Sequence, residues 1–172
     1  MTFTEPAPPQ SALDPAQFKA AMRRLFGGVS VITVGDGDTR TGLTLTSTVP
    51  LSTDPPLILI CVNRGSSSWP VIVADRRFCV NLLDARHQAV AERFSGLGGV
   101  KGTARYKGAA WRQATGAWAL ADALAVMDCA VEELIERHSH AIVIGRVKHV
   151  EIGEGGQALL YGHGRYRAID LA

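Results

Sequence analysis

The chain is poor in the features that mark the common functional classes. Its three cysteines, Cys61, Cys79 and Cys129, are far apart, odd in number and form no Cys-x-x-Cys pair. This argues against a disulfide framework or a thiolate metal cluster and predicts a reducing compartment. No run of 18 apolar residues occurs, and residues 1–10 hold no basic stretch ahead of an apolar one. The expectation is a soluble, cytoplasmic protein with no membrane partner. Charge of one sign is scarce as well. The 18 Lys and Arg and 16 Asp and Glu are interspersed and sum to a formal +2, which leaves no nucleic-acid footprint. A Gly-x-Ser-x-Gly elbow, a His-Glu-x-x-His helix and a Walker loop are all missing. Gly96-Leu97-Gly98-Gly99 is the nearest approach to a dinucleotide fingerprint, with the wrong remaining spacing, so no Rossmann domain is expected.

What is present fits one domain of residues 13–172 behind a flexible tail of residues 1–12, which holds three of the eight prolines. A chain of 172 residues buries roughly 70% of the surface its unfolded form exposes, enough for a core without staples. Asp14 as N-cap, Pro15 at the first helical position and Phe18, Met22 and Leu25 at helical spacing predict a helix that stops at Gly27-Gly28. Residues 29–34 and the segment around Leu43 and Leu45, joined by a Gly-Asp-rich turn, predict a β-hairpin. The apolar runs at 57–62 and 78–83 predict strands buried on both faces. Short helices are expected at 68–75 and 86–94, and residues 95–117 read as one long connection. Leu120, Leu124, Met127, Val131 and Leu134 match a helical stripe, and the alternation over the same stretch fits a strand only loosely.

Chemistry gathers around the 57–62 strand. Hydroxyl-rich segments flank it, Thr44, Thr46, Ser47, Thr48, Ser52 and Thr53 before it and Ser66, Ser67 and Ser68 after it, with Arg64 between. Such turns aim several N–H and O–H donors at one anion, and an arginine adds the compensating charge. The plain alternative is that these hydroxyls satisfy their own backbone.

Eight segments in order carry a resemblance: 26–33, Gly42-Leu43-Thr44-Leu45-Thr46-Ser47, Ser52-Thr53-Asp54-Pro55-Pro56, Cys61-Val62-Asn63-Arg64-Gly65-Ser66-Ser67, 78–82, Phe94-Ser95-Gly96, Ser139-His140 before Ile144-Gly145-Arg146-Val147, and Gly164-Arg165-Tyr166. From about Phe18 to Ile169 the chain resembles the flavin reductase family with the FMN-binding split-barrel fold. The resemblance implies a mainly β, antiparallel split barrel of Greek-key order with a few flanking helices, in which residues 126–137 form a long strand pairing with 141–152. It implies an NAD(P)H:flavin oxidoreductase that reduces FMN or FAD with NADH or NADPH and supplies a partner monooxygenase. It also implies a homodimer with the flavin near the subunit interface.

By the same resemblance Thr44, Thr46 and Ser47 run along the flavin ring and ribityl chain, and Asn63, Arg64, Ser66 and Ser67 hold its phosphate. Phe94 and Ser95 form a further flavin-contacting turn, His140 helps position nicotinamide, and Tyr166 closes the nicotinamide side. His138-Ser139 replaces the Gly-Asp that often precedes this histidine in the family. A core role for Phe94 and a surface role for Tyr166 are the plain alternatives. Residues 63–70 and 110–116 look like the subgroup that includes pyrimidine-degradation flavin reductases and corrin reductases. Other readings are a non-catalytic flavin-binding sensor and a metal enzyme built on His138, His140 and His163, the first two sharing a strand face at i, i+2 spacing.

Overall fold

A computed structural model describes residues 13–115 and 117–171; the tail read at residues 1–12 lies outside them. The elements are α1 (Pro15–Met22), β1 (Gly27–Gly28), β2 (Ser30–Val34), β3 (Thr41–Leu45), β4 (Thr48–Thr53), β5 (Pro56–Asn63), α2 (Trp69–Asp75) and β6 (Arg77–Leu82). They continue as α3 (Gln88–Phe94), β7 (Trp111–Gln113), β8 (Trp118–Leu120), β9 (Ala125–Arg137), β10 (His140–Ile152), β11 (Gln157–Gly162) and β12 (Arg165–Asp170).

The start of α1 follows its sequence signals. An Asp14 carboxylate oxygen accepts from the Ala16 N–H at 2.9 Å, with Pro15 next in line. The helix ends at Met22, so Leu25 falls beyond it, and none of its residues is buried.

Every strand pair is antiparallel. Seven strands form one sheet in the order β3-β2-β6-β9-β10-β5-β4, and β1-β11-β12 and β7-β8 form two smaller ones. The pairings β2 with β6 and β5 with β10 join strands distant in sequence, which gives the Greek-key order expected of the split barrel. Val29 links two sheets: its N–H donates to the Leu159 carbonyl at 2.8 Å and its own carbonyl accepts from Leu83 at 3.1 Å. The long β9–β10 ribbon occupies the stretch whose apolar spacing suggested a helix.

Side chains alternate between two cores. From β2, Ile32 joins a cluster with Ile60, Phe78 and Val143, and Val31 joins another with Phe94, Leu83 and Leu120. A strand between two cores buries residues at successive positions, as β2 and β6 do, and the polar ones among them, Ser30, Thr33 and Asn81, are buried with the rest. β5 departs from that expectation: Ile58, Ile60 and Val62 are buried, but Leu57, Leu59 and Cys61 are only half-buried. A Cβ on Gly145 would lie 2.4 Å from the Phe78 ring, so that ring packs directly on bare backbone.

Candidate functional site

Three clefts open side by side along β3 and the two residues after it. The first, about 500 Å³, lies between β3, the 63–67 loop and the end of α3. Its ionisable lining groups other than Cys61 are Lys101, Arg105 and His140, with no carboxylate. Arg105 is 7% exposed; its Nε donates to the Val100 carbonyl at 3.1 Å and its Nη1 to the Gly42 carbonyl. Burial lowers its pKa from the ordinary guanidinium value, since desolvation disfavours the cation. On the wall of the same cleft the Ser66 hydroxyl is buried and has no hydrogen-bond partner among the described residues. A cleft whose wall carries an orphaned donor and two cations is an environment that phosphate oxygens satisfy.

The 63–67 loop is shaped from within. Asn63 Oδ1 accepts from the Gly65 N–H at 2.8 Å and the Asn63 carbonyl from Ser66 at 3.0 Å, leaving Ser66 and Ser67 on the cleft wall. Arg64, expected between the hydroxyl-rich turns, faces elsewhere. Its guanidinium pairs with Glu136 and donates to the His138 carbonyl at 3.0 Å, so it ties the loop to the β9–β10 hairpin and lines none of the three clefts. The cations that line this cleft are Lys101 and Arg105, in the segment that read as one long connection. Two basic residues in a glycine-rich stretch were the available signal.

His140 opens β10 opposite Asn63 and lines this first cleft, its Nδ1 2.9 Å from the Ser139 hydroxyl. The preceding turn explains the departure from Gly-Asp: His138 adopts φ +48°, a left-handed conformation that glycine enters without a steric penalty. Because His138 sits in that turn and not on the strand, it does not share a strand face with His140. His163 lines a different cleft, and among the described residues no three His, Cys, Asp or Glu side chains are placed to hold a metal. The metal-enzyme reading therefore lacks its ligand set.

The second cleft, about 770 Å³, shares Thr44, Leu45 and Ser95 with the first. Its walls are Leu97, Tyr161 and Tyr166, with Gln88 and Glu92 from α3 and Arg165 from β12. The two tyrosine rings meet edge to face, centroids 5.0 Å apart. Burial raises the Tyr166 pKa, with smaller contributions from Glu92 and Tyr161, so its hydroxyl stays a donor at neutral pH. Tyr166 and His140 thus stand in adjoining clefts, not in one. Glu92, which sequence reasoning passed over, accepts from Gln88 Nε2 at 2.8 Å and has no ion pair among the described residues.

Several predicted hydroxyls are engaged by backbone. Thr44 donates to the Ala91 carbonyl at 2.6 Å and Ser95 to the Glu92 carbonyl at 2.6 Å. Ser47 bridges both backbone groups of Cys61, accepting from its N–H at 3.3 Å and donating to its carbonyl at 3.2 Å. Phe94 is 1% exposed and belongs to an aromatic cluster with Tyr106 and Trp111, and from there it lines the first cleft. Thr46 is exposed between the second cleft and the third, its hydroxyl without a partner among the described residues.

The sequence model of the flavin reductase like domain matches residues 22–170. The chain belongs to the flavin reductase family. Relatives include the FMN reductase (NADH) RutF 2 of Rhizobium rhizogenes, 35% identical over 170 residues that cover 98% of this chain and 97% of that one. The FMN reductase (NADH) RutF of Variovorax paradoxus is 34% identical over 95% of this chain and 89% of its own. Among solved structures, the flavin reductase component BorF of a bacterial two-component tryptophan halogenase superposes with a TM-score of 0.84 at 28% identity, covering 92% of this chain and all of that one. The NADH:FAD oxidoreductase SgcE6 of Streptomyces globisporus gives 0.82 at 29% identity over 94% and 99%.

Proposed function

We propose that this chain, working as one domain from Leu13 onward, is an NADH-dependent reductase that takes FMN or FAD and hands reduced flavin to a partner monooxygenase. The observation that carries the reading is the buried Ser66 hydroxyl, unpartnered among the described residues, in the cleft that Lys101 and Arg105 also line. Ser66, Ser67, Lys101 and Arg105 would hold the phosphate, with Asn63 setting the loop. Thr44, Leu45 and Thr46 would carry the ring toward the junction of the two clefts, where Leu97, Tyr161 and Tyr166 exclude water. When bound, the flavin supplies the hydride-accepting chemistry, so the protein contributes position and donors and no nucleophile. His140 and Tyr166 each present a polar group from one side of that junction. Phe94 and Ser95 would line the cleft that takes the flavin, Ser47 acts through the backbone it supports, and Arg64 acts through the loop it ties down.

NADH oxidation with FMN, FAD and riboflavin in turn tests this. Ser66→Ala removes one bond to a charged phosphate, so the KM for FMN should rise about tenfold while that for phosphate-free riboflavin stays unchanged. An equal effect on both flavins would reject the phosphate assignment. His140→Ala should raise the KM for NADH, and an unchanged NADH dependence would remove it from the site. Flavin bound without any NADH oxidation would favour the sensor reading.

A further inference from the structure

The three clefts differ in charge. The first holds Lys101, Arg105 and His140, and the third, about 850 Å³ between α1 and the turn joining β11 to β12, holds Lys19, Arg23 and His163. Glu92, in the middle cleft, is the only carboxylate among the residues that line any of the three. Its direction is set by α3. Gln88 and Glu92 of this helix and Ser95 just after it fall at i, i+4 and i+7, and all three line the middle cleft. The rest of the helix is packed: Val90, Ala91 and Phe94 are buried, and the Thr44 hydroxyl donates to the Ala91 carbonyl at 2.6 Å, which fixes the rotation of the helix about its axis.

The charge of Glu92 is not spent on a neighbour. Gln88 Nε2 donates to one carboxylate oxygen at 2.8 Å, and the other oxygen has no partner among the described residues. Arg165 is the one cation lining the same cleft, and it forms no ion pair with Glu92. Arg93, next in the chain, turns to the Lys107 carbonyl. The negative charge is felt at the cleft wall, where it adds to burial in raising the pKa of Tyr166. A carboxylate kept free of cations in this way is placed for a positive charge that arises only during reaction. Hydride transfer supplies one: the C4–H bond of dihydronicotinamide breaks, both electrons leave with the hydrogen for the flavin ring, and the neutral dihydropyridine becomes a pyridinium cation. Resting on the reductase reading, we infer that Glu92 faces the nicotinamide ring and stabilises the positive charge developing on it, with Gln88 positioning the carboxylate. A fixed charge aimed where charge develops lowers the barrier without reorganising at the moment of reaction.

Glu92→Gln keeps the shape of the side chain and an acceptor for Gln88 and removes the charge. Calorimetric titration of the flavin-free protein with NAD⁺ and with NADH then reads the charge preference without turnover. The variant should bind NAD⁺ on the order of tenfold more weakly than wild type and NADH within about twofold of it. In stopped flow at saturating NADH, hydride transfer to FMN should slow on the order of tenfold, with the KM values for NADH and FMN within about twofold of wild type, because the interaction strengthens only as the cation forms. N-benzyl-dihydronicotinamide, a hydride donor without phosphates, should show the same loss of rate, since the effect acts on the ring. Equal loss of affinity for NAD⁺ and NADH, an unchanged hydride-transfer rate, or a loss of rate that the phosphate-free donor escapes would each overturn the assignment. If wild type oxidises no NADH the reductase reading fails, and the ratio of NAD⁺ to NADH affinity in the two proteins still decides the role of Glu92.

Discussion

Asp84 shows what one side chain can hold together. Its carboxylate accepts from the Arg86 N–H at 2.9 Å, capping the helical turn before α3, and from the Gln157 N–H at 3.2 Å, tying that turn to β11. The Arg86 hydrogen bond foremost, with help from Gln157 and the charges of Arg86 and His87, outweighs desolvation and holds its pKa below the usual carboxylate range. A depressed folded pKa stabilises the fold above the unfolded value of about 3.9, and that stabilisation is lost as pH falls through the folded value. Asp84→Asn should flatten the acid limb of stability against pH in urea titrations; an unchanged acid limb would remove this role. The thiols follow burial too. Desolvation raises the pKa of Cys79 strongly and that of Cys129 to about 12, so neither is a nucleophile at neutral pH.

At the scale of elements, the seam of the split barrel depends on Ser47. Its hydroxyl serves both the N–H and the C=O of Cys61, taking the part of a strand partner where the β3–β4 connection meets β5. Ser47→Ala leaves those groups partly unpaired and should cost about 1–2 kcal/mol, a loss in melting temperature of roughly 2–4 °C per kcal/mol. No change in melting temperature would mean that water replaces the hydroxyl without penalty. β9 explains why its apolar spacing resembled a helix. Against β10, Val131 pairs with Gly145 and Glu133 with Ile144, so Glu132 is an extra residue. This bulge shifts the inward phase and puts Leu134 three positions after Val131, a helical interval within a strand. The segment 95–117 carries no period because its order is long-range. The Tyr106 hydroxyl donates to the Thr41 carbonyl at 2.7 Å, and Arg40 lies about 5 Å from the ring centres of both Tyr106 and Trp118.

Across the whole molecule, large apolar side chains remain in contact with solvent. Val49 and Leu51 are about half exposed on the edge strand β4, and Ile152 at the end of β10 is 85% exposed. An apolar sheet edge without a neighbouring strand among the described residues invites association, which is in keeping with the homodimer that the family resemblance implies, and we propose that the chain pairs in this way. Sedimentation should give twice the chain mass, and Leu51→Glu should shift it toward the monomer; a wild-type monomer would reject the proposal. Among the described residues no helix is long and apolar enough to cross a membrane.

The sequence by itself determined the start of the first helix through its cap and proline, the β2–β3 hairpin, and the mainly apolar strand β6 buried on both faces. It also placed Asn63, Ser66 and Ser67 on one loop, because turn chemistry and strand burial are local and leave a period or a residue type behind. Only the tertiary structure decided that Arg64 turns to Glu136, that Arg105 and Lys101 supply the cations beside Ser66, and that Lys19, Arg23 and His163 share a cleft. Those meetings join residues tens of positions apart. Charge placement of this kind depends on which strands become neighbours, and no local spacing encodes it.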